Sequence, residues 1–382
     1  MGENDNARQA AENMRENDDA PQDLTGMEAK GNALQGGDNW SQFMRFDGKG
    51  LEYLVILLHK WLFSLLTLGI YSFWGKTRAR KYLWSQTHVL GEALEYTGTG
   101  RELFVSFLIV VPCFMLFTML LSYLGQHYPL TILAFYPLFL FLWELASYLS
   151  LRYRLTRTRW RGIRGNMSGS ALSYAWRACL YWLAVFCSLG LLLPWASARM
   201  TAMKLNNAWF GDRKASFDGP ARELVKIYLL CLGGGLLFMA AGCGSIAYVF
   251  TQVDLAFQNE STVVLIALGA YLFLLFGLSM IFAFYQALHF RWLCGHLTYG
   301  DINLRSTLTG KRLCSMHLSN MLIVVCTLGL GWAFALTRYL RLLCGSVDYQ
   351  GDPALGQLLQ DTMKAPTRGD GLLEALDVDI SL

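Results

Sequence analysis

Charged residues are scarce in this chain, and the shortage is uneven. Asp, Glu, Lys and Arg make up 16% of the 382 residues, against about 25% in a typical soluble domain, while 54% are hydrophobic. A membrane-spanning helix needs roughly 20 apolar residues, and four nearly uncharged stretches reach that length: residues 103–124, 130–151, 224–250 and 263–290. These stretches exclude an ordinary soluble protein and predict an integral membrane protein.

Catalytic and metal-binding motifs are absent as well. The sequence has no P-loop, no HExxH and no GxSxG motif, and its nine cysteines form no CxxC pair or Cys/His cluster. No apolar run follows a basic start, so we expect no cleavable signal peptide. The sequence therefore predicts a protein that is not an enzyme and holds no cofactor or metal. Nucleic-acid binding is not expected either, because the basic residues flank apolar segments and do not form a separate domain.

Acidic residues concentrate at the two ends. Residues 1–42 hold nine acidic and three basic side chains, and this polar composition predicts a disordered tail. Residues 352–382 form a second acidic tail, with six acidic and two basic side chains. Residues 43–351 hold 27 Lys and Arg against 13 Asp and Glu, a net charge of +14, while the whole chain carries +4. We therefore divide the chain into a helical membrane domain, 43–351, and two tails that could recruit a protein partner.

The loops between apolar stretches predict the orientation. Short cytoplasmic loops accumulate Lys and Arg, and the segment after residue 151 has six arginines and no acid, whereas loops 125–129 and 251–262 have no base. Three further apolar stretches, 51–74, 173–195 and 316–334, have the length of a span but contain polar groups. Because basic segments flank 173–195 on both sides, we expect these three to be re-entrant, interfacial or broken helices. Both termini would then lie in the cytoplasm.

A recurring motif predicts internal repeats. Aligning Gly69, Gly190 and Gly329 brings a leucine before each of them into register, and nine residues later come Arg78, Arg199 and Arg338. The stretches THVLGEALEYTG and NAWFGDRKASFDG have β-branched and aromatic residues around a glycine, which is typical of β-hairpins. The predicted fold class is a membrane all-α protein, multi-spanning and helical, with internal repeats, re-entrant or broken helices and short cytoplasmic β-hairpins.

Two sets of polar residues are candidates for function. Glu144 is a carboxylate inside an apolar stretch, which is costly in a membrane, and Lys60 or Arg177 could be its partner. A structural ion pair is the alternative. Near a charged leaflet each arginine of a basic segment attracts anionic head groups; the alternative is a role in topology alone. The candidate lipid contacts are Arg152, Arg154, Arg157, Arg159, Arg161 and Arg164.

The phrases LLTLGIYSFWGKTRARKYL, EYTGTGRELF and LRSTLT resemble the YjgN-type family of bacterial inner-membrane proteins, over about residues 43–351. The resemblance implies a bacterial inner-membrane location and carries no mechanism with it. Two functions stay open at this point. A transporter or channel, in a homo-oligomer because the spans are few, is indicated by repeats and broken helices. A non-catalytic scaffold that contacts membrane lipids is indicated by the basic segments.

Overall fold

The computed structural model describes residues 40–128, 131–253 and 260–351. Apart from residue 40, all of them belong to one unit, Ser41–Leu382. The helices form five consecutive pairs, each connected to the next by a β-hairpin. Their bounds are α1 Gly50–Leu66, α2 Ser72–Ser85, α3 Gly100–His127, α4 Thr131–Arg157, α5 Ala171–Cys187, α6 Leu193–Leu205, α7 Ala221–Val253, α8 Glu260–Gly295, α9 Gly310–Cys326 and α10 Trp332–Cys344.

Eleven short strands join into one antiparallel sheet. Sheet order follows chain order from β2 to β11, and β1 lies beyond β11. Four hairpins pair a three-residue strand with a five-residue strand through a two-residue turn. The strands are β1 Ser41–Gln42, β2 Met44–Phe46, β3 Thr87–Val89, β4 Glu92–Tyr96, β5 Thr158–Trp160, β6 Ile163–Met167, β7 Ala208–Phe210, β8 Arg213–Phe217, β9 Leu297–Tyr299, β10 Ile302–Ser306 and β11 Val347–Gln350.

Phe43 closes this sheet into a ring. β1 pairs with β11 and β2 pairs with β3, and Phe43 lies between β1 and β2. Its N–H donates to the carbonyl oxygen of Val347 at 2.9 Å, and its own carbonyl accepts from the N–H of Leu90 at 3.0 Å. The first and last strands of the described chain therefore lie side by side, and no sheet edge is left between them.

The interior of the strand ring is filled with apolar side chains. Trp160, Ile302 and Val347 are each 5% exposed or less and belong to one cluster. Side chains from the other sides of the ring, including Phe43 and Phe210, pack against the same cluster. The Trp160 indole N–H also donates to the carbonyl oxygen of Val89 across the ring, at 3.0 Å. The described side chains thus fill the strand ring with a packed hydrophobic core.

All ten helices leave from one end of the strand ring. The second, third and fourth helix pairs each follow the five-residue strand of one hairpin and return to the three-residue strand of the next, so the four hairpin turns lie at the opposite end. Each helix packs against its neighbours in sequence, and α10 packs against α1. Phe334 of α10 lies directly over Gly50 at the start of α1. The helices therefore form a second closed ring beside the first.

The helix pairs alternate between short and long. Helices α1, α5 and α9 have 17 residues each, about 26 Å at 1.5 Å per residue, whereas α3, α7 and α8 have 28, 33 and 36. Three helices in the described part of the chain are long and apolar enough to cross a membrane: Gly100–His127, Ala221–Tyr248 and Val264–Gly295. Four spans were predicted. The fourth, at 130–151, is not among these three; residue 130 lies outside the described part of the chain, and Glu144 interrupts the apolar sequence of the rest.

Each short pair reverses at a Leu-Gly turn. Leu68, Leu189 and Leu328 have φ of 50–51°, and the glycine after each has φ of 88–92°. In each turn the glycine N–H donates to a carbonyl five residues back, at 2.6–2.8 Å. This left-handed pair ends the first helix, as expected where glycine follows a helix C-terminus. The chain then returns to the strand ring, and in α1–α2 the Tyr82 hydroxyl donates to Glu52 near the start of α1.

The all-α prediction is therefore wrong. The hairpins at THVLGEALEYTG and NAWFGDRKASFDG are confirmed as β3–β4 and β7–β8, but they are not isolated elements. They join seven other strands in a closed sheet, which requires pairing between residues 41–42 and 348–349. The segment of six arginines contains a further hairpin, β5–β6. The predicted tails lie outside the described residues, except for residues 40–42, of which Ser41 and Gln42 form β1.

Candidate functional site

Glu144 lies at the contact between α4 and α5. Glu144 is 5% exposed, and each of its carboxylate oxygens accepts one hydrogen bond. The Tyr174 hydroxyl donates to one oxygen at 3.0 Å, and the Trp182 indole N–H donates to the other at 2.8 Å. A buried charge is costly unless hydrogen bonds compensate it, and two neutral donors do so here.

Lys204 of α6 completes this group. Its ammonium donates to the Ser147 hydroxyl at 3.0 Å, one helical turn beyond Glu144, and lies over the Tyr174 ring at 5.5 Å. Burial lowers the pKa of the Lys204 ammonium, while the Glu144 charge acts in the opposite direction. The same burial, and then the Glu144 charge, raise the pKa of the Tyr174 hydroxyl. We call Glu144, Ser147, Tyr174, Trp182 and Lys204 the Glu144 cluster.

The two cations named from the sequence as partners of Glu144 lie elsewhere. Lys60 is on α1, and its aliphatic chain packs over Gly75 of α2. Arg177 is exposed on α5. Tyr174, Trp182 and Lys204 were missed, although Tyr174 and Trp182 are eight residues apart and so lie near one face of a helix. That spacing was the available signal, but it does not indicate which helix the face contacts.

The six arginines at 152–164 are held in and beside the strand ring. Arg157 forms an ion pair with Glu102 at 3.1 Å, and Arg161 pairs with Glu92 at 3.3 Å while its guanidinium lies over Trp160. The Arg152 guanidinium donates to the carbonyl oxygen of Met167 at 3.1 Å. Arg159 faces Glu95 and Arg164 across neighbouring strands, and Arg154 is on the last turns of α4.

Arg78, Arg199 and Arg338 occupy the same position within their helices. Each is the seventh residue of the second helix of a short pair. Arg78 and Arg199 are exposed, whereas Arg338 is half-buried and donates to the Ser319 hydroxyl at 2.9 Å. Three cavities have described linings, formed around Arg338, around His88 and around Cys231, and Glu144 lines none of them. Across the described ranges no group of three or more His, Cys, Asp or Glu could hold a metal ion.

A comparison with known protein families identifies the family of this chain. A family model described as "Bacterial protein of unknown function (DUF898)" matches residues 41–375, which include every strand and helix above. The chain belongs to this family. The match begins where β1 begins, so the family's shared region contains the strand ring and all five helix pairs.

Relatives in this family carry a location in their names. Inner membrane protein YjgN of Salmonella typhimurium strain LT2 is 33% identical over 98 residues, which is 26% of this chain and 24% of that protein. Inner membrane protein YjgN of Escherichia coli K12 is 35% identical over 77 residues, 20% of this chain and 19% of that protein. The aligned segments thus span a quarter or less of these relatives. The resemblance to the YjgN-type family is confirmed, and no solved structure matches significantly.

Proposed function

We propose that this chain is a multi-pass protein of the bacterial inner membrane that binds and orders lipids without catalysing a reaction. The strand ring lies on the cytoplasmic surface, the long helix pairs cross the bilayer, and the three short pairs enter only the near part of it. The names of the relatives and the three apolar helices support the location.

The observation that carries the proposal is the leucine at the tip of each short pair. Leu68, Leu189 and Leu328 are 95%, 94% and 95% exposed, yet each adopts a left-handed conformation that costs a non-glycine residue about 1–2 kcal/mol. In water the leucine side chain does nothing to offset that cost, because it touches almost no protein. In hydrocarbon each leucine would contribute transfer free energy of about that size or more. The tips are thus suited to an apolar environment.

Helix length indicates how deeply a short helix pair enters the bilayer. The hydrocarbon core is about 30 Å thick, so a 17-residue helix of about 26 Å that starts at the surface ends inside the bilayer. The basic residues indicate on which side of the membrane the strand ring lies. Arg161, Arg213 and Lys214 lie in or beside hairpin turns at the far end of the strand ring, and such residues favour the cytoplasm.

The packed strand ring favours a lipid role over a channel. Any path along the axis would have to pass Trp160, Ile302 and the rest of the apolar cluster that fills the ring. An ion or polar solute would need a hydrated lining there, and the side chains supply none. The outer surfaces of the helices, in contrast, expose many leucines and aromatic residues to any surrounding lipid.

The depth of a tip tests the proposal. In the full chain with its native cysteines replaced by alanine, Leu189→Cys is labelled with an environment-sensitive fluorophore and reconstituted into phosphatidylethanolamine/phosphatidylglycerol vesicles, where acyl-chain quenchers should quench it. The matched control is Asn303→Cys on β10, which is exposed on the strand ring and should be quenched only by aqueous iodide. The same readout for both sites, or an iodide-accessible tip, would overturn the proposal.

A second candidate function, transport, rests on the Glu144 cluster. A buried carboxylate and a buried ammonium near each other among packed helices could exchange a proton or a cation, as titratable groups in transporters do. Ion or proton flux into proteoliposomes that disappears in Glu144→Gln, with the variant still folded, would favour transport. Equal leakage with the wild type, the variant and empty liposomes would exclude it.

A further inference from the structure

A basic groove lies between α9 and α10, the last of the short helix pairs. Its volume is about 420 Å³, and Arg312, Arg338 and Arg341 line it together with Ser315 and Ser319. Met316 and Leu342 contribute apolar wall. We call this the α9–α10 groove. It is separate from the Glu144 cluster and from the six arginines of residues 152–164.

Among the described residues no carboxylate compensates the three positive charges of the groove. Arg338 donates to the Ser319 hydroxyl at 2.9 Å, and Arg341 donates to the carbonyl oxygen of Gly48 at 2.9 Å, so both partners are neutral. Within the described ranges none of the three arginines forms an ion pair. Three cations on one concave surface raise the local positive potential and concentrate anions there.

The other helix pairs show how unusual this charge is. The third residue of the first helix in each pair is Glu52, Glu102, Ser173, Glu223 and Arg312, in chain order. Glu52 accepts from the Tyr82 hydroxyl at 3.0 Å, and Glu102 pairs with Arg157 at 3.1 Å. A carboxylate near a helix N-terminus interacts favourably with the helix dipole, so Arg312 replaces a stabilising anion with a cation. A bound anion in the groove would neutralise the charge of Arg312 and would also supply the negative charge that is missing near the start of α9.

We propose that the α9–α10 groove binds a phosphate group. Guanidinium groups bind phosphate oxygens through paired N–H donors, and the Ser315 hydroxyl adds a further donor, whereas the Ser319 hydroxyl already donates to the Met316 carbonyl oxygen. Because Arg338 and Arg341 keep one N–H bond each to neutral oxygens, their remaining donors are available to a ligand without breaking an internal ion pair.

The position of the groove favours a lipid head group as the source of the phosphate. Arg312 is the third residue of α9, next to the strand ring, and Met316 is 12 residues, about 18 Å, from the Leu328 tip. When the tip lies in hydrocarbon, the groove is therefore near the membrane surface. Leu322, 58% exposed, continues the Ser315–Ser319 face of α9 towards the tip and would contact an acyl chain. This source of the ligand rests on the proposed function; a soluble phosphate ester has the same recognition chemistry.

Lipid and phosphate binding to the full detergent-solubilised chain test the inference. Native mass spectrometry with phosphatidylglycerol, and calorimetry with glycerol phosphate, separate the two sources. We expect Arg312→Gln and Arg338→Gln each to weaken phosphatidylglycerol binding about tenfold or more, as for lost hydrogen bonds to a charged group. Arg78→Gln and Arg199→Gln, at the position of Arg338 in the other short pairs, should leave binding unchanged.

The outcomes separate cleanly. Binding of phosphatidylglycerol that depends on Arg312 and Arg338 supports a lipid site, and glycerol phosphate binding with the same dependence supports a site for a soluble phosphate. Equal binding by the groove variants and the two controls, or no binding of either ligand, overturns the inference. Arg312 makes no hydrogen bond among the described residues, so Arg312→Gln should fold even where Arg338→Gln does not. Failure here would leave the tip-depth result, and with it the proposed function, untouched.

Discussion

At the scale of single residues, glycines that look like turn residues prove to be packing residues. The aromatic-x-Gly motif occurs at Gly48, Gly98 and Gly219, and a glycine between two elements is typical of a tight turn. None of the three has a positive φ. A Cβ atom at any of them would lie 2.4–2.6 Å from the ring of the aromatic residue two positions earlier. The ring folds over the glycine, so the missing side chain is what the motif requires.

This packing predicts that Gly98→Ala is destabilising. The new methyl group would lie 2.6 Å from the buried Tyr96 ring, and relieving such overpacking typically costs about 1–3 kcal/mol. Gly233→Ala in α7 is the matched control, because nothing lies within 4 Å of its Cβ position and alanine is the better helix former. Thermal unfolding in detergent should show a lower midpoint for Gly98→Ala alone. Equal midpoints for the two variants would contradict the packing explanation.

The Glu144 cluster is also a matter of single residues, and it makes a second prediction. Glu144→Ala leaves the Tyr174 hydroxyl and the Trp182 N–H without their acceptor, and each hydrogen bond to a charged group contributes about 1.5–3 kcal/mol. Glu144→Gln keeps one acceptor oxygen and should lose less stability. We expect the unfolding midpoints to fall in the order wild type, Gln, Ala. Glu95→Ala, an exposed glutamate on β4, is the control and should match the wild type.

At the scale of elements, local patterns predicted more than pairing partners. The Leu-Gly repeat at residues 69, 190 and 329 and two of the hairpins were visible because turns are encoded by neighbouring residues. The β5–β6 hairpin was not predicted, because the arginines of that segment were interpreted as candidate lipid contacts. Its turn, Arg161-Gly162, nevertheless has the positive φ values, 52° and 78°, that favour a tight two-residue hairpin.

The leucine tips lead to an element-scale prediction in which backbone and environment act in opposite directions. Asparagine tolerates the left-handed conformation better than leucine, so Leu189→Asn should stabilise or spare the turn if the tip is in water. In a bilayer the same change replaces a favourable apolar contact with a buried amide. We expect Leu189→Asn to reduce the protection of the α5–α6 pair from proteolysis in vesicles, measured as a faster cleavage of this pair than in the wild type.

The control for this prediction is Arg199→Asn, an exposed position on α6 that lies nearer the strand ring. It changes one surface side chain in the same helix pair without altering the tip. If both variants are cleaved at the wild-type rate, the tip does not depend on an apolar surrounding.

At the scale of the whole molecule, the closure of the strand ring and of the helix ring could not be predicted from the sequence. Strand β1 pairs with β11, so Ser41 lies opposite Tyr349, and Gly50 packs under Phe334. These contacts join residues about 300 positions apart, and no local periodicity predicts them. Hydrophobicity gave the apolar stretches, but the alternation of short and long pairs depends on where each helix turns back to the strand ring.

Ring closure makes the final prediction, which concerns topology. Because β1 and β11 are hydrogen-bonded neighbours, the two ends of the described chain lie on one side of the membrane whatever the orientation. Under the proposed function that side is the cytoplasm, which basic residues such as those of the hairpins favour. Compartment-sensitive reporters fused at residue 30 and after residue 351 should therefore both report the cytoplasm. A reporter inserted after Tyr128, at the far end of the 28-residue α3, is the control and should report the periplasm, because α3 is long enough to cross. Opposite signals from the two terminal fusions would contradict the β1–β11 pairing, since neighbouring strands cannot lie on opposite faces of the membrane. A cytoplasmic signal after Tyr128 would instead leave the strand ring intact and show that the long pairs also turn back before crossing.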